Sequence, residues 1–241
     1  MNIEIHYEKE VTSTNTILKE KVCSGIPEGY VLVAESQTEG RGRLGRSFFS
    51  PPGSGLYFSI LLKPQFTIKP ASLTCLAAVA VAEAVSSFGI SCNIKWVNDL
   101  YVQNKKAAGI LTEGAFDSYG RLTYAIIGIG INLYTPDNVP EDIRGMITGI
   151  FQNRQGSQNA DELLKRIVSK VEHYYELLPE QPFWTTYRNL LNCFGKKVSF
   201  QHEGQIISGI AEDIDREFRL IVRSQSVPIA LERGEITFLE K

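Results

Sequence analysis

Between Asn93 and Asn132 the chain lays down four apolar runs, Asn93 to Val97, Leu100 to Val102, Ala108 to Thr112 and Tyr124 to Asn132, with only short polar turns between them. Parallel neighbours need a crossover of about a dozen residues or more, usually a helix. Runs this close together are therefore confined to antiparallel pairing.

The rest of the chain has to be arranged around that sheet. Ile3 to Tyr7 reads as a strand. Thr12-Ser13-Thr14-Asn15 supplies helix-capping side chains ahead of Ile17, Leu18 and Val22 at helical spacing, and Gly25 closes that helix. Tyr30 to Ala34 and Leu56 to Leu62 read as strands, and the polar stretch from Glu35 to Arg46 begins the loop between them. Lys69-Pro70 opens a helix whose apolar stripe runs from Leu73 to Phe88 before Gly89, and a second helix spans Ala160 to Leu178 until Pro179 stops it. From Gly195 onward the texture changes to five short strands, Lys197 to Gln201, Gln205 to Ala211, Phe218 to Val222, Val227 to Leu231 and Glu235 to Leu239. The expectation is an α+β fold: a mixed or antiparallel sheet with helices packed on one face, plus a small C-terminal β-barrel. The boundary is drawn between residues 1–192 and residues 193–241.

With 43% hydrophobic and 22% charged residues in 241, the chain has enough apolar material for an ordered core. Lys and Arg total 25 against 27 Asp and Glu, so the net charge of -2 excludes a general nucleic-acid sink, and basic chemistry has to be local. The N-terminal residues lack the basic and apolar regions of a secretory signal. No apolar run reaches the roughly 18 residues of a membrane span. A soluble, cytoplasmic protein without a membrane partner is expected. Cys23, Cys75, Cys92 and Cys193 have no paired spacing and read as reduced core thiols.

Local chemistry concentrates in four places. Gln37-Thr38-Glu39-Gly40-Arg41-Gly42-Arg43-Leu44-Gly45-Arg46 interleaves three arginines with three glycines. Glycines let backbone N–H groups approach an anion, and guanidinium groups grip carboxylate or phosphate. An ordinary solvated basic loop and an RNA-binding Arg/Gly segment share that composition. Lys95-Trp96-Val97-Asn98-Asp99 places an amide and a carboxylate at a strand end, where they form either a turn pair or a ligand for Mg²⁺ beside a phosphate. Lys106, ahead of Ala107-Ala108-Gly109-Ile110-Leu111, is either an edge-protecting lysine or a cation at a site. Ile127-Gly128-Ile129-Gly130-Ile131-Asn132 lacks the third glycine and the following helix of a dinucleotide fingerprint. It reads instead as a buried strand whose glycines admit a close neighbour.

In order and spacing together, Ser13-Thr14-Asn15, the Gln37 to Arg46 loop, Lys95-Trp96-Val97-Asn98-Asp99, Lys106 with Gly109-Ile110-Leu111, and Gly128-Ile129-Gly130-Ile131-Asn132 resemble the biotin protein ligases, with Gly234-Glu235-Ile236 extending the likeness toward the C-terminus. The resemblance implies a class II synthetase-like catalytic domain over 1–192, which binds biotin and ATP, and an SH3-like barrel over 193–241. It implies two steps: biotin and ATP give biotinyl-5′-AMP and pyrophosphate, then a lysine of a biotin carboxyl carrier domain takes the biotinyl group. By the same likeness Ser13, Thr14, Asn15, Gln37, Gly40, Arg41, Gly42, Arg43 and Lys106 bind biotin, with Arg43 and Lys106 catalytic. Arg41, Arg46, Phe48, Asn98 and Asn132 serve the nucleotide, and Asp99 takes Mg²⁺.

Two features depart from the family pattern. Val97 stands where the family usually has proline. Members that also repress transcription carry a winged helix-turn-helix ahead of the catalytic domain, whereas here the Ser13 motif begins almost at once. A monofunctional ligase with no DNA partner is expected, and the resemblance leaves a homodimer open. The competing readings are a lipoate ligase or octanoyltransferase, which shares the architecture, and a nucleic-acid-binding protein using the arginine loop.

Overall fold

The computed structural model describes residues 1–65, 68–152, 158–225 and 227–239. In chain order the first part comprises β1 (Glu4–Val11), α1 (Thr14–Val22), β2 (Tyr30–Gln37), β3 (Gly55–Leu62), α2 (Pro70–Ser86), β4 (Asn93–Lys95), β5 (Asp99–Val102), β6 (Lys105–Phe116) and β7 (Leu122–Asn132). These strands form one seven-stranded sheet in the order β1-β2-β3-β7-β6-β5-β4. The segment from Asn93 to Asn132 pairs antiparallel throughout, as its short turns require. Only β1 and β2 pair in parallel, with α1 as their crossover, which makes the sheet mixed.

Each face of the sheet has its own cover. Val31, Val33, Phe58 and Ile60 point into the main core beneath α2, which is apolar on nearly every side and is buried from Ser72 to Val85 apart from Glu83. An all-apolar helix needs a second cover. It is supplied by α3 (Gln158–Glu176), whose Lys170 Nζ and Tyr174 hydroxyl meet the Glu83 carboxylate at 2.6 and 2.8 Å. The opposite face carries the short α1, where Leu18 packs on Leu32, Leu61 and Ile126.

A further helix, α4 (Trp184–Leu190), leads into β8 (Lys197–His202), β9 (Gln205–Ile214), β10 (Leu220–Ser224), β11 (Val227–Leu231) and β12 (Ile236–Phe238). They form a five-stranded antiparallel sheet in the order β11-β10-β9-β8-β12, consistent with an SH3-like module. Its apolar residues join the main core without a break. Phe218 is stacked on Phe183 and meets Tyr187 edge-on, each at a centroid distance of 5.7 Å. The indoles of Trp96 and Trp184 donate to the carbonyls of Phe218 and Asp215, at 3.2 and 2.9 Å, in the turn between β9 and β10. Cys75 and Cys193 lie buried in this core. Burial pushes the Cys75 thiol up, and Cys193 up to about 12, so neither is a ready nucleophile.

Candidate active site

Side chains alternate along β6 and β7, so Gly109, Leu111, Gly128 and Gly130 share the face away from α2 and line one pocket. The glycines are there because their neighbours leave no room for a methyl. A Cβ on Gly128 would lie 2.3 Å from Asn15 Oδ1, and one on Gly130 would lie 2.6 Å from the Phe48 ring. The close neighbours of the glycine strand are thus an amide and an aromatic ring.

Over that floor sits a connected set of neutral polar groups. The Thr14 backbone N–H donates to Gln37 Oε1 at 2.9 Å, and Gln37 Nε2 donates to Ser50 Oγ at 2.9 Å. The buried Ser59 hydroxyl lies 2.7 Å from Thr14 Oγ1 and 2.6 Å from Asn15 Oδ1. Asn15 Nδ2 donates to Glu113 Oε2 at 2.9 Å. Thr14 and Asn15 lead the first turn of α1, so the helix that packs through Leu18 also delivers these groups to the pocket.

The arginine loop folds over the pocket as a small hairpin. Gly42 N–H donates to the Arg46 carbonyl at 2.7 Å and Phe48 N–H to the Gly40 carbonyl at 2.8 Å. Arg41 Nη2 stands 3.2 Å from Glu113 Oε1. Arg43 donates to Asn98 Oδ1 at 2.9 Å and, through its other terminal nitrogen, to the Gly234 carbonyl at 2.7 Å. Arg46 makes a two-point contact with Glu235 at 2.8 and 2.7 Å. Burial lowers the Arg43 pKa, and the nearby Asp99 and Glu235 carboxylates oppose that; a guanidinium keeps its charge regardless.

Opposite the loop, Asn98 is fixed to β6 by Ile110 N–H donating to its carbonyl at 3.0 Å and by its own Nδ2 donating to the Ile110 carbonyl at 2.9 Å. With Val97 in the motif the Trp96–Val97 peptide is cis, and both Asn98 and Asp99 line the pocket. Asp99 Oδ1 pairs with Lys106 Nζ at 2.8 Å. Lys106 is no edge residue. Its N–H donates to the Met146 carbonyl at 2.9 Å, and its carbonyl accepts Thr148 N–H at 3.0 Å, so its ammonium is left to face the pocket between two bonded segments.

Of the residues expected at the site, Ser13, Thr14, Asn15, Gln37, Arg41, Gly42, Arg43, Arg46, Phe48, Asn98, Asp99 and Lys106 all line this one pocket. Gly40 lies just outside its lining, pressed against the Phe48 carbonyl and Ser50 Oγ, where a Cβ would come within 2.3 and 2.6 Å. Asn132 is buried at the end of β7 opposite Gly55, and its carbonyl accepts Ile150 N–H at 2.9 Å; it is not among the lining residues. Sequence reasoning missed Ser59 and Glu113, and gave Lys95 and Glu235 no site role although both stand in the motifs it quoted. Ser59 had a signal, a hydroxyl inside the apolar run Leu56 to Leu62.

The arrangement places three cations, Arg41, Arg43 and Lys106, beside a fixed set of neutral donors and acceptors. It can hold a neutral polar ring at one end and gather two anions at the other. The family model for the biotin/lipoate A/B protein ligase family matches residues 7–132. The bifunctional ligase/repressor BirA of Bacillus spizizenii is 31% identical over 236 residues, covering 90% of this chain and 72% of that protein. The biotin--[acetyl-CoA-carboxylase] ligase of Mycobacterium tuberculosis is 27% identical, covering 94% and 86%. A solved structure of the biotin protein ligase from Aquifex aeolicus, in complex with biotin and ATP, superposes with a TM-score of 0.81 at 29% identity, covering 99% of each chain.

Proposed function

Because the chain belongs to the biotin/lipoate A/B protein ligase family, we infer that its pocket joins biotin to ATP and passes the biotinyl group to a lysine of a biotin carboxyl carrier domain. The protein is a biotin protein ligase. The observation that carries the residue-level reading is the convergence of Arg41, Arg43 and Lys106 with Thr14, Asn15 and Gln37 in one pocket.

In the first step a biotin carboxylate oxygen attacks the α-phosphorus of ATP, forming the mixed anhydride and releasing pyrophosphate. Two anions must meet, so the cost to be lowered is their repulsion and the charge that grows on the phosphoryl oxygens. Lys106 and Arg43 supply positive charge held in place beforehand, Lys106 by Asp99 and Arg43 by Asn98 and the Gly234 carbonyl. Ser13, Thr14, Asn15 and Gln37 hold the ureido ring. Phe48, packed on Gly130, and Arg46 lie where the nucleotide enters, and the loop that carries them keeps water from the anhydride. In the second step the carrier lysine attacks the acyl carbon and AMP leaves.

Among the described residues no group of three or more His, Cys, Asp or Glu could hold a metal. Asp99, which lines the pocket with Oδ1 paired to Lys106 Nζ, is the carboxylate that would hold Mg²⁺ beside the triphosphate, because Mg²⁺ takes one or two carboxylates and leaves most of its shell to phosphate and water. When bound it would offset phosphate charge. The C-terminal module, residues 193–241, contributes Gly234 and Glu235 to the rim, which supports a role in nucleotide handling. No helix of the described residues is long and apolar enough to cross a membrane.

Biotin-dependent exchange of pyrophosphate into ATP tests the reading, with lipoate or octanoate replacing biotin as the discriminating arm. Exchange that follows lipoate rather than biotin would overturn it. The nucleic-acid alternative is less favoured because Arg41, Arg43 and Arg46 are each paired within the chain, to Glu113, Asn98 and Glu235, although Arg41 and Arg46 keep 47% and 66% side-chain exposure. The same pairing predicts that trypsin cuts after Arg41 and Arg43 more slowly once biotin and ATP add an anion between them. Equal rates with and without ligands would refute that ordering.

A further inference from the structure

One carboxylate stands where the neutral polar set and the arginine loop meet. Glu113 lies on β6 two residues past Leu111, on the pocket face, with its side chain 25% exposed. One oxygen accepts Asn15 Nδ2 at 2.9 Å and the other stands 3.2 Å from Arg41 Nη2. Nothing in the motifs or in the mechanism above requires it.

On the reading that this pocket takes biotin, we propose that Glu113 is a positioning residue. Together with the Leu111 carbonyl, it fixes which end of the Asn15 amide donates and which accepts, and it aims Arg41 with its second oxygen. A carboxylate only accepts, so the Asn15 amide must present Nδ2 to Glu113 and Oδ1 to Ser59. Ser59 has one hydroxyl proton, which Asn15 Oδ1 takes at 2.6 Å. Ser59 Oγ is then left to accept at 2.7 Å from the single hydroxyl proton of Thr14, in preference to Gln37 Oε1 at 3.2 Å. Gln37 Oε1 is served by the Thr14 backbone N–H, and Gln37 Nε2 goes to Ser50. The donor order through Asn15, Ser59 and Thr14 follows from the Asn15 amide, whereas Gln37 is set by the Thr14 backbone N–H. With an amide in place of that carboxylate, only the 3.3 Å contact of Asn15 Nδ2 with the Leu111 carbonyl still favours this order, so the Asn15 end is held less firmly without a change of shape.

A cyclic urea has a carbonyl that accepts and two N–H groups that donate, so the pattern facing it matters as much as the space. The test is Glu113→Gln in the full-length protein, with initial rates of adenylate formation measured against biotin, against ATP and against 2-iminobiotin, whose guanidine presents a donor where the urea carbonyl accepts. The biotin KM should rise about tenfold or more, as loss of a hydrogen bond to a charged group implies. The ATP KM should stay within about twofold, and the preference for biotin over 2-iminobiotin should shrink about tenfold, with the thermal midpoint near that of the wild type. A packing role alone would not move that preference. An unchanged biotin KM and preference would overturn the role of Glu113, and so would a rise in both KM values with a fallen midpoint. A wild type that forms no adenylate from biotin would instead overturn the functional reading beneath it.

Discussion

Lys106→Gln lowers the rate of adenylate formation about a hundredfold or more, because one preorganised donor aimed at developing charge is worth about 3 kcal/mol in the transition state. The structure sharpens the reason. Both backbone groups of Lys106 are bonded to the segment 146–148, and its ammonium is held 2.8 Å from Asp99 Oδ1, so little reorganisation is needed when the carboxylate and α-phosphate meet. Both partners keep some solvent contact, at 31% and 18% side-chain exposure, so losing the pair should cost about 1 kcal/mol of stability or less. Lys105→Gln is the control, since Lys105 is exposed one residue away and does not line the pocket. Single-turnover adenylate formation decides it. Equal small effects in the two variants would remove Lys106 from the chemistry.

Phe218→Ala should be the most damaging single change to stability, by about 3–5 kcal/mol, the usual cost of emptying a buried aromatic site. The ring is 1% exposed and packs the β9–β10 turn onto α4, stacked on Phe183 and edge-on to Tyr187. Its backbone is in the left-handed region at φ 62, so alanine inherits an unfavourable conformation without the packing that holds it there. For a chain of this size the thermal midpoint should fall by roughly 10 °C. Urea unfolding followed by tryptophan emission is the suitable measurement, because the only two tryptophans, Trp96 and Trp184, both donate to carbonyls of the turn that bears Phe218. Tyr119→Ala, at an aromatic ring 83% exposed on the β6–β7 hairpin, should leave the curve where it was. A Phe218→Ala curve that overlays the wild type would show that stability does not depend on this contact between the β9–β10 turn and α4.

Much of the fold could be read from the sequence where local constraints were strong. The short turns between Asn93 and Asn132 admitted only antiparallel pairing, and the all-apolar stretch after Pro70 could only be a buried helix. Edges were harder. Strand β1 is exposed along most of its length, so its parallel pairing leaves little trace in the side-chain pattern. Strand β2 runs on through Glu35, Ser36 and Gln37, which looked like loop because the strand end is polar where it serves the pocket. Helix α4 is only seven residues long and has no side-chain cap, so its signal is too brief for periodicity. At the site the motif residues were recognisable because their order and spacing are distinctive. Glu113 was not, and Glu235 was visible only as part of the Gly234-Glu235-Ile236 likeness with no site role, since an acidic residue resembles solvated surface until the fold sets an arginine against it. Lys106 was ambiguous for a similar reason, as the segment that covers its strand comes from residues 146–148, far along the chain.

The contacts of Arg43 with Gly234 and of Arg46 with Glu235 span 191 and 189 positions of sequence. Proteins are made from the N-terminus at about 5–20 residues per second. The arginine loop therefore leaves the ribosome many seconds before the carbonyl and carboxylate that grip it exist, and for that interval its guanidinium groups lack these partners. A nascent chain can complete the main sheet, yet it cannot latch the loop until the strand β11 turn has emerged. Translation thus orders the events: the residues of the pocket floor are made first and its clasp last, so a ribosome stalled within the C-terminal module carries a chain that has the pocket's neutral polar groups but not its latch.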